Sequence, residues 1–462
     1  MSKFSAEAYG NGKLKHLEDL SAIFDKFESQ VPLLKNGNEH LKLPHFNGNK
    51  SKPIHCWYTY KEGFSSELLS WVCEITGTSI DSMERILDPF VGVATSLLSA
   101  QLQYRGENEL ELIGVERNPF TAFVARTKIG WDHFSQLKIQ RRIPNLIRRL
   151  SSKPKTKYEV GSLSTLRDVR AFDAQVMQEL LFAREVLKEE LGDSKEYSFF
   201  KLGWAACIEA ASNVRKDGRA LRFVQKDRRP PLRQLLEEKW LQMLGDLKAT
   251  RIEMSKVKRG RVIARVLEGD GRTLDVVDGD DSSFDLILYS PPYLNNLDYS
   301  EVYKLELWLT EAVTTHQEFR SLRSMTFRSH PSYKFEETTF VDKMSRRSWP
   351  RQLRDSLLDV LPIDHYLEAR RRTIRGYMDD MFQSLQNQFR LVRPGGFVVC
   401  VVGNSLHGNK DYPIPIPTDL LIASLARASG FKIKKVQATR HTNRRKHIAA
   451  GSRESVIILQ RP

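Results

Sequence analysis

Apolar residues first recur at helical spacing in Leu17, Leu20, Ile23 and Phe24, and the loop-like PHFNGNKSKP follows, so residues 1–50 read as a peripheral lead-in. Between positions 57 and 131 the texture changes. The amphipathic stretch FSSELLSWVCEIT predicts a helix, RILDPF a buried strand running into a small-residue turn, ATSLLSAQLQY a second helix and ELIGVE a second strand. Strand, helix, strand is the unit of a parallel α/β sheet. Residues 132–260 are mostly helical in pattern and strongly basic, with LLFAREVLKEEL and the loop NVRKDGRALRFVQKDRRPPLR, and read as an insertion. The α/β pattern resumes over 261–309 with ARVLEGD, the strand FDLILY and the turn SPPYLNNLDYS. A second, Arg-rich insertion covers 310–375. Residues 376–462 then predict the helix DDMFQSLQNQFRLV, the strand GGFVVCVVGNS, the helix TDLLIASLARAS closed by Gly430, and the strands FKIKKVQAT and SVIILQ. Segments 51–131, 261–309 and 376–462 are therefore expected to build one domain interrupted by two insertions.

Composition narrows the class. Of 462 residues, 40% are hydrophobic and 28% charged, which excludes wholesale disorder and a fibrous fold. Lys and Arg outnumber Asp and Glu by 72 to 57, and the net charge of +15 favours a polyanionic partner, nucleic acid first, over a merely solvated surface. Cys56, Cys73, Cys207 and Cys400 are scattered and form no Cys-x-x-Cys pair, so neither a disulfide framework nor a zinc cluster is expected; a reducing, cytoplasmic setting fits. The start, MSKFSAEAYGNGKLKHLEDL, has no apolar run behind its positive charge, and no run of about 18 apolar residues occurs, so neither export nor a membrane span is expected.

LDPFVGVATS places Asp88 at the end of an apolar strand and Gly92 in the turn before a helix, a geometry that accommodates a nucleoside-containing cofactor. Asp88 can accept a hydrogen bond from a cationic amino group, and Phe90 can cover the ligand. ELIGVERNPF ends the next strand in Glu116, where a carboxylate can take both ribose hydroxyls. A dinucleotide site would want G-x-G-x-x-G, but Val93 and Ala94 follow Gly92, which disfavours hydride chemistry and leaves a methyl-donor nucleoside. EGDGRTL supplies Asp270 after a third strand, suited to an adenine amino group.

FDLILYSPPYLNNLDYS carries the chemistry. Two consecutive prolines remove two backbone donors, stiffen the turn and leave carbonyl acceptors. An aromatic amine such as cytosine N4 is a poor nucleophile because its lone pair is delocalised into the ring. Acceptors aimed at its N–H bonds return electron density to nitrogen, a role suited to the Ser290 hydroxyl and the Pro291 carbonyl. Pro292 fixes the turn and Tyr293 is expected to stack on the base, which must be flipped out of a duplex to arrive there. No metal is required, and no spacing among the histidines, including His55, His330 and His441, resembles a metal site or a nucleophilic triad. Asp298 and Tyr299 stand just beyond this turn, placed either to order it or to touch the base.

These segments resemble the amino-methylating DNA methyltransferases, and specifically the cytosine-N4 branch with its Ser-Pro-Pro-Tyr form. DPFVGVATS is similar to the family's cofactor loop, CWYTYKEGFSSELL to its N-terminal cofactor-flanking motif, GVERNPF to its acidic second strand, GDGRTL to its adenine-binding turn and RPGGFVVCVVGNS to its later strand-forming block. About half the chain is covered. The resemblance implies a Rossmann-like fold, a mostly parallel seven-stranded sheet flanked by helices, here with helical basic insertions. It implies S-adenosylmethionine as methyl donor, held by Asp88, Phe90, Gly92, Glu116 and Asp270 with Phe64 and Ser65 completing the cleft. It implies an acceptor site at Ser290, Pro291, Pro292 and Tyr293, and target recognition within the long segment between the two motifs. Two departures stand out: Val93-Ala94 replaces a glycine-containing continuation, and Ser290 stands where adenine enzymes more often carry Asp or Asn.

The expected partner is double-stranded DNA, engaged by basic clusters at Arg141-Arg142, Arg148-Arg149, 215–229, 346–354, 370–375 and 440–446. The rivals are adenine-N6 or RNA amino methylation with the same donor pocket, and a nucleic-acid-binding specificity module that keeps the fold without catalysis. A restriction-modification setting is implied by the resemblance alone.

Overall fold

A computed structural model describes residues 15–34, 43–60, 63–152, 154, 156–192, 194–217, 220–224, 226, 229–278, 281–295, 297–361, 365–408, 413–441 and 453–462. Its centre is an α/β sheet of eight strands: β1 (Leu33–Leu34), β2 (Arg85–Asp88), β3 (Leu110–Glu116), β4 (Val262–Glu268), β5 (Phe284–Tyr289), β6 (Val392–Gly403), β7 (Lys432–His441) and β8 (Arg453–Gln460). Their order across the sheet is β1-β7-β8-β6-β5-β2-β3-β4. All neighbours run parallel except β8, which is antiparallel to β7 and β6. The sheet has eight strands rather than the expected seven because the lead-in supplies β1, with Leu33 opposite Val436.

The strands formed where short apolar runs end in turn residues. Alternate residues of β5 serve opposite faces: Leu286 and Leu288 pack with Leu69, Leu97 and Val401, whereas Ile287 and Tyr289 pack with Tyr377, Met381 and Leu420. The helix Lys15–Glu28 buries Leu20, Phe24 and Phe27 in that second layer, so the lead-in is part of the core. The register that matters most is between β2 and β5, Ile86 opposite Leu286 and Leu87 opposite Ile287. Because these adjacent strands are parallel, the loops beginning after Asp88 and Tyr289 leave the sheet side by side at its carboxyl edge.

Residues 132–260 form the helices Gln136–Leu150, Ala174–Leu191, Glu196–Ala211 and Leu232–Met254. They share a core of Phe199, Phe200, Trp204, Leu236 and Trp240. Part of the stretch expected to be a loop is a β-hairpin, Val214–Asp217 paired with Ala220–Phe223. In the second insertion the helices His316–Ser324 and Trp349–Asp359 precede a long helix, His365–Leu391, which starts well before the predicted one and buries Arg370, Ile374 and Tyr377. No helix among the described residues is long and apolar enough to cross a membrane.

Candidate active site

At the carboxyl edge lies an open cleft. Its walls include Phe64, Phe90, Gly92, Glu116 and Asp270 on one side and Ser290, Pro291 and Pro292 on the other. The two stretches separated by about two hundred positions in sequence are therefore brought to one cavity by the β2–β5 pairing.

The turn after β2 is built around its own carboxylates. Gly92 has φ +52°, and Ala94, at φ 62°, adopts the left-handed conformation where a second glycine would be free of strain. Asp88 is buried beneath this turn: one oxygen accepts the Phe90 N–H at 3.0 Å and the other a short hydrogen bond from the Ser96 hydroxyl. Burial pushes its carboxyl up to about 7, with Glu116 nearby adding to the rise and the Ser96 and Phe90 donors opposing it. Asp88 is not on the cleft wall; it shapes the loop that is. Ser65 is likewise buried behind the wall, its Oγ accepting the Glu67 N–H at 3.2 Å.

Glu116 reaches the cleft. Its Oε2 accepts the Gly92 N–H at 2.9 Å and its Oε1 the Asn118 N–H at 2.8 Å, tying the cofactor-type loop to the end of β3. Burial nevertheless pushes this carboxyl up to about 7, because those donors and the Thr121 hydroxyl compensate only part of the desolvation. The carboxylate still borders the cleft while these donors hold it. Asp270 differs from expectation: Arg272 binds both its oxygens at 2.7–3.0 Å and Arg117 adds a contact at 2.6 Å. Burial works against ionisation here, but the guanidiniums of Arg272 and Arg117 hold the carboxyl below its usual range. Asp270 thus anchors Arg117 at the cleft and Arg272 behind it instead of offering free acceptors.

On the opposite wall the Ser290 hydroxyl donates to the Val401 carbonyl at 2.9 Å, which spends its proton and leaves oxygen lone pairs as acceptors. Pro291 and Pro292 border the cleft beside it. Tyr293 does not border this cleft, contrary to the expectation of a stacking role there. Its ring lies against the end of β6, where a β-carbon on Gly403 would come within 2.9 Å of the ring. The aromatic faces that do line the cleft are Phe64, Phe90, Tyr60, Tyr299, Tyr303 and Phe327, with Tyr60 and Tyr303 stacked at 5.3 Å between centroids and 17° between planes.

Sequence reasoning missed part of the wall. Tyr60 sits in the quoted CWYTYKEGF segment, and Arg117 follows Glu116 directly, so both were within reach of the motifs. Met325, Thr326, Phe327, Ser329 and His330 come from the second insertion, where no periodic pattern marks them. They are held to the catalytic-type turn by backbone and charge: Asn295 N–H donates to the Ser329 carbonyl at 3.1 Å, and Arg323 grips Asp298 at 2.8–3.0 Å. Asp298 also caps the short helix Tyr299–Val302, accepting the Ser300 N–H at 3.0 Å. His55 is buried under the lead-in, with its carbonyl bound to Lys128. Residues 442–446 of the last basic cluster lie outside the described residues, as do the side chains of Arg440 and His441.

No family model matches the chain. It is 24% identical to the Type II methyltransferase M.BsoBI of Geobacillus stearothermophilus over 91% of this chain and 88% of that protein. It is also 24% identical to the Type II methyltransferase M.AvaI of Nostoc sp. over 86% of this chain and 82% of that one. A third relative, the Type II methyltransferase M.MvaI of Kocuria varians, is 21% identical over 90% of this chain and 88% of that one. Among solved structures, a protein of Thermus thermophilus assigned as a DNA modification methylase, complexed with S-adenosyl-L-methionine, aligns over 20% of this chain and 39% of that one at 22% identity. Its TM-score is 0.18, too partial an overlap to carry an argument. Over most of its length the chain is thus similar in sequence to Type II methyltransferases.

Proposed function

We propose that this chain is an S-adenosylmethionine-dependent methyltransferase that modifies a DNA base on its exocyclic amino group, cytosine N4 foremost. One observation carries the reading: Phe90, Gly92 and Glu116 share a cleft with Ser290, Pro291 and Pro292. The near full-length similarity to Type II methyltransferases and the net charge of +15 support it.

The residues present suit the donor. Glu116 borders the cleft as an acceptor suited to a ribose hydroxyl, Phe64 and Phe90 supply apolar walls, and Asp88 and Ser65 support these from behind. When bound, the donor supplies an electrophilic methyl group on a sulfonium. The chain's own part is to hold the amine. Ser290 Oγ and the Pro291 carbonyl accept its N–H bonds, which raises the electron density of nitrogen and points its lone pair away from them. A base in a duplex is out of reach of such a cleft, so the target is flipped out, and Tyr299 and Tyr60 are the aromatic surfaces suited to receive it. The serine form of the turn favours cytosine N4 over adenine N6.

The test is incubation with methyl-labelled S-adenosylmethionine and either duplex DNA or RNA, followed by nucleoside mass spectrometry. N4-methylcytosine in DNA is the expected product. Label in N6-methyladenine would overturn the choice of base, label in RNA alone the choice of polymer, and saturable DNA binding without label or donor uptake would leave a binding module.

A further inference from the structure

Methylating an amine has a second requirement besides a donor: the nitrogen gains a bond and a positive charge, and must shed a proton. Among the cleft residues His330 is equipped to take one. It is 2% exposed, forms part of the cleft wall, and its Nε2 is buried without a hydrogen-bond partner. A buried unpartnered ring nitrogen costs about 1–3 kcal/mol, a cost that an entering group would offset once a small turn of the ring brings Nε2 to the cleft surface.

The other ring nitrogen is fully engaged. Ser332 Oγ lies 2.7 Å from His330 Nδ1 and 3.1 Å from Asp298 Oδ2. A hydroxyl has one proton, and the carboxylate accepts only, so Ser332 donates to Asp298 and accepts from Nδ1. The proton of the neutral imidazole is thereby fixed on Nδ1 and the lone pair on Nε2, the arrangement of a base oriented through a carboxylate. Asp298, paired with Arg323, also stands 3.8 Å from Nδ1, close enough to stabilise the imidazolium once formed. The Asn295–Ser329 bond fixes this segment to the Ser290–Tyr293 turn.

Resting on the proposed function, we infer that His330 accepts, through Nε2, the proton lost by the amino nitrogen as it is methylated. In the balanced step the nitrogen lone pair forms the N–CH3 bond, the S–CH3 pair stays on sulfur as a neutral sulfide, and one of the two N–H protons leaves its Ser290 or Pro291 acceptor and moves to Nε2. The positive charge passes from sulfonium to imidazolium. The groups acting on His330 are Asp298 and Glu301 from the turn and helix beside it and Arg323 from the facing helix. Burial holds the imidazole below its usual range, so it is neutral and receptive at physiological pH, and an N-alkylated aromatic amine is acidic enough to give it a proton.

The experiment compares wild type, His330→Gln and His330→Ala in single-turnover transfer to duplex DNA with donor pre-bound, alongside donor affinity, melting temperature and ¹⁵N NMR of the imidazoles. Expected are a loss of about 100-fold in transfer for His330→Gln, unchanged donor affinity and melting temperature, and partial rescue of His330→Ala by added imidazole. The wild-type rate should fall on the acid side, at a pH below the usual imidazole range, and His330→Gln should lose that limb. NMR should find the His330 Nε2 unprotonated in the wild type. Should the glutamine variant fail to fold, Ser332→Ala serves instead, with about tenfold slower transfer and an Nε2–H tautomer appearing. Equal rates in wild type and variant, or a proton on Nε2 in the wild type, would overturn the inference alone. A folded wild type that binds donor yet methylates no DNA would overturn the proposed function and the inference with it.

Discussion

Glu116→Gln tests the donor site through proton linkage. The Glu116 carboxyl is pushed from 4.5 up to about 7, so at pH 6 it is roughly nine-tenths protonated and at pH 8 roughly nine-tenths ionised. Ribose hydroxyls donating to it favour the anion, so donor affinity should rise about tenfold from pH 6 to pH 8. Substitution by Gln keeps one acceptor but turns an NH2 toward the Gly92 or Asn118 N–H. Losing one charge-assisted hydrogen bond is worth about 1.5–3 kcal/mol, so affinity at pH 8 should fall roughly 10- to 100-fold. The pH response should shrink in this variant and persist in Asp88→Asn, whose carboxyl faces the loop interior. Calorimetric titration in two buffers of different ionisation enthalpy measures both affinity and protons released. The stability sign is the reverse. Without donor, the folded chain retains a proton that the unfolded chain has lost between pH 4.5 and about 7, so rising pH destabilises the fold through this group. Donor should therefore raise the melting temperature more at pH 8 than at pH 6. Equal wild-type affinity at both values, or an undiminished pH response in Glu116→Gln, would exclude Glu116 as the titrating ligand of the donor.

Three further outcomes follow from the same geometry. Tyr293→Ala should lower stability by roughly 3 kcal/mol, since its ring packs on β6, and chemical denaturation should register this before any specific loss of donor binding. Gly92→Ala should weaken donor binding and cost about 1 kcal/mol, because an added β-carbon meets a left-handed φ of +52° and comes 3.4 Å from the Tyr60 ring; thermal shift with and without donor checks both. DNA affinity should fall steeply between 50 and 200 mM salt, roughly a thousandfold for six phosphate contacts, as measured by anisotropy; a flat salt response would discount the basic clusters.

The catalytic core was legible where one physical signal dominated. Apolar runs such as FDLILY and RILD, bounded by turn residues, mapped onto β5 and β2, and the acidic strand end at Glu116 fell where a parallel sheet puts ligands. The second insertion was not legible, because His330, Phe327 and Met325 reach the cleft through irregular backbone held by a few long-range bonds, such as Asn295 to Ser329, that no local period encodes. Asp270 and Tyr293 were misplaced for a related reason. Motif identity fixes the position of a side chain, whereas Arg272, Arg117 and Gly403 decide which way it is used. The eighth strand was hidden because its two residues, Leu33 and Leu34, are too short for any alternation.

In the proposed function, one cleft holds a methyl donor against the loop after β2 and an amine against the loop after β5. The direct measurement is donor binding and transfer of labelled methyl to duplex DNA by wild type and Ser290→Ala, assayed on the same preparations. Both proteins should bind S-adenosylmethionine equally, and the wild type should label DNA at least about 100-fold faster. A wild type that binds no donor, or a Ser290→Ala variant that labels DNA as fast as wild type, would contradict a shared donor and acceptor cleft.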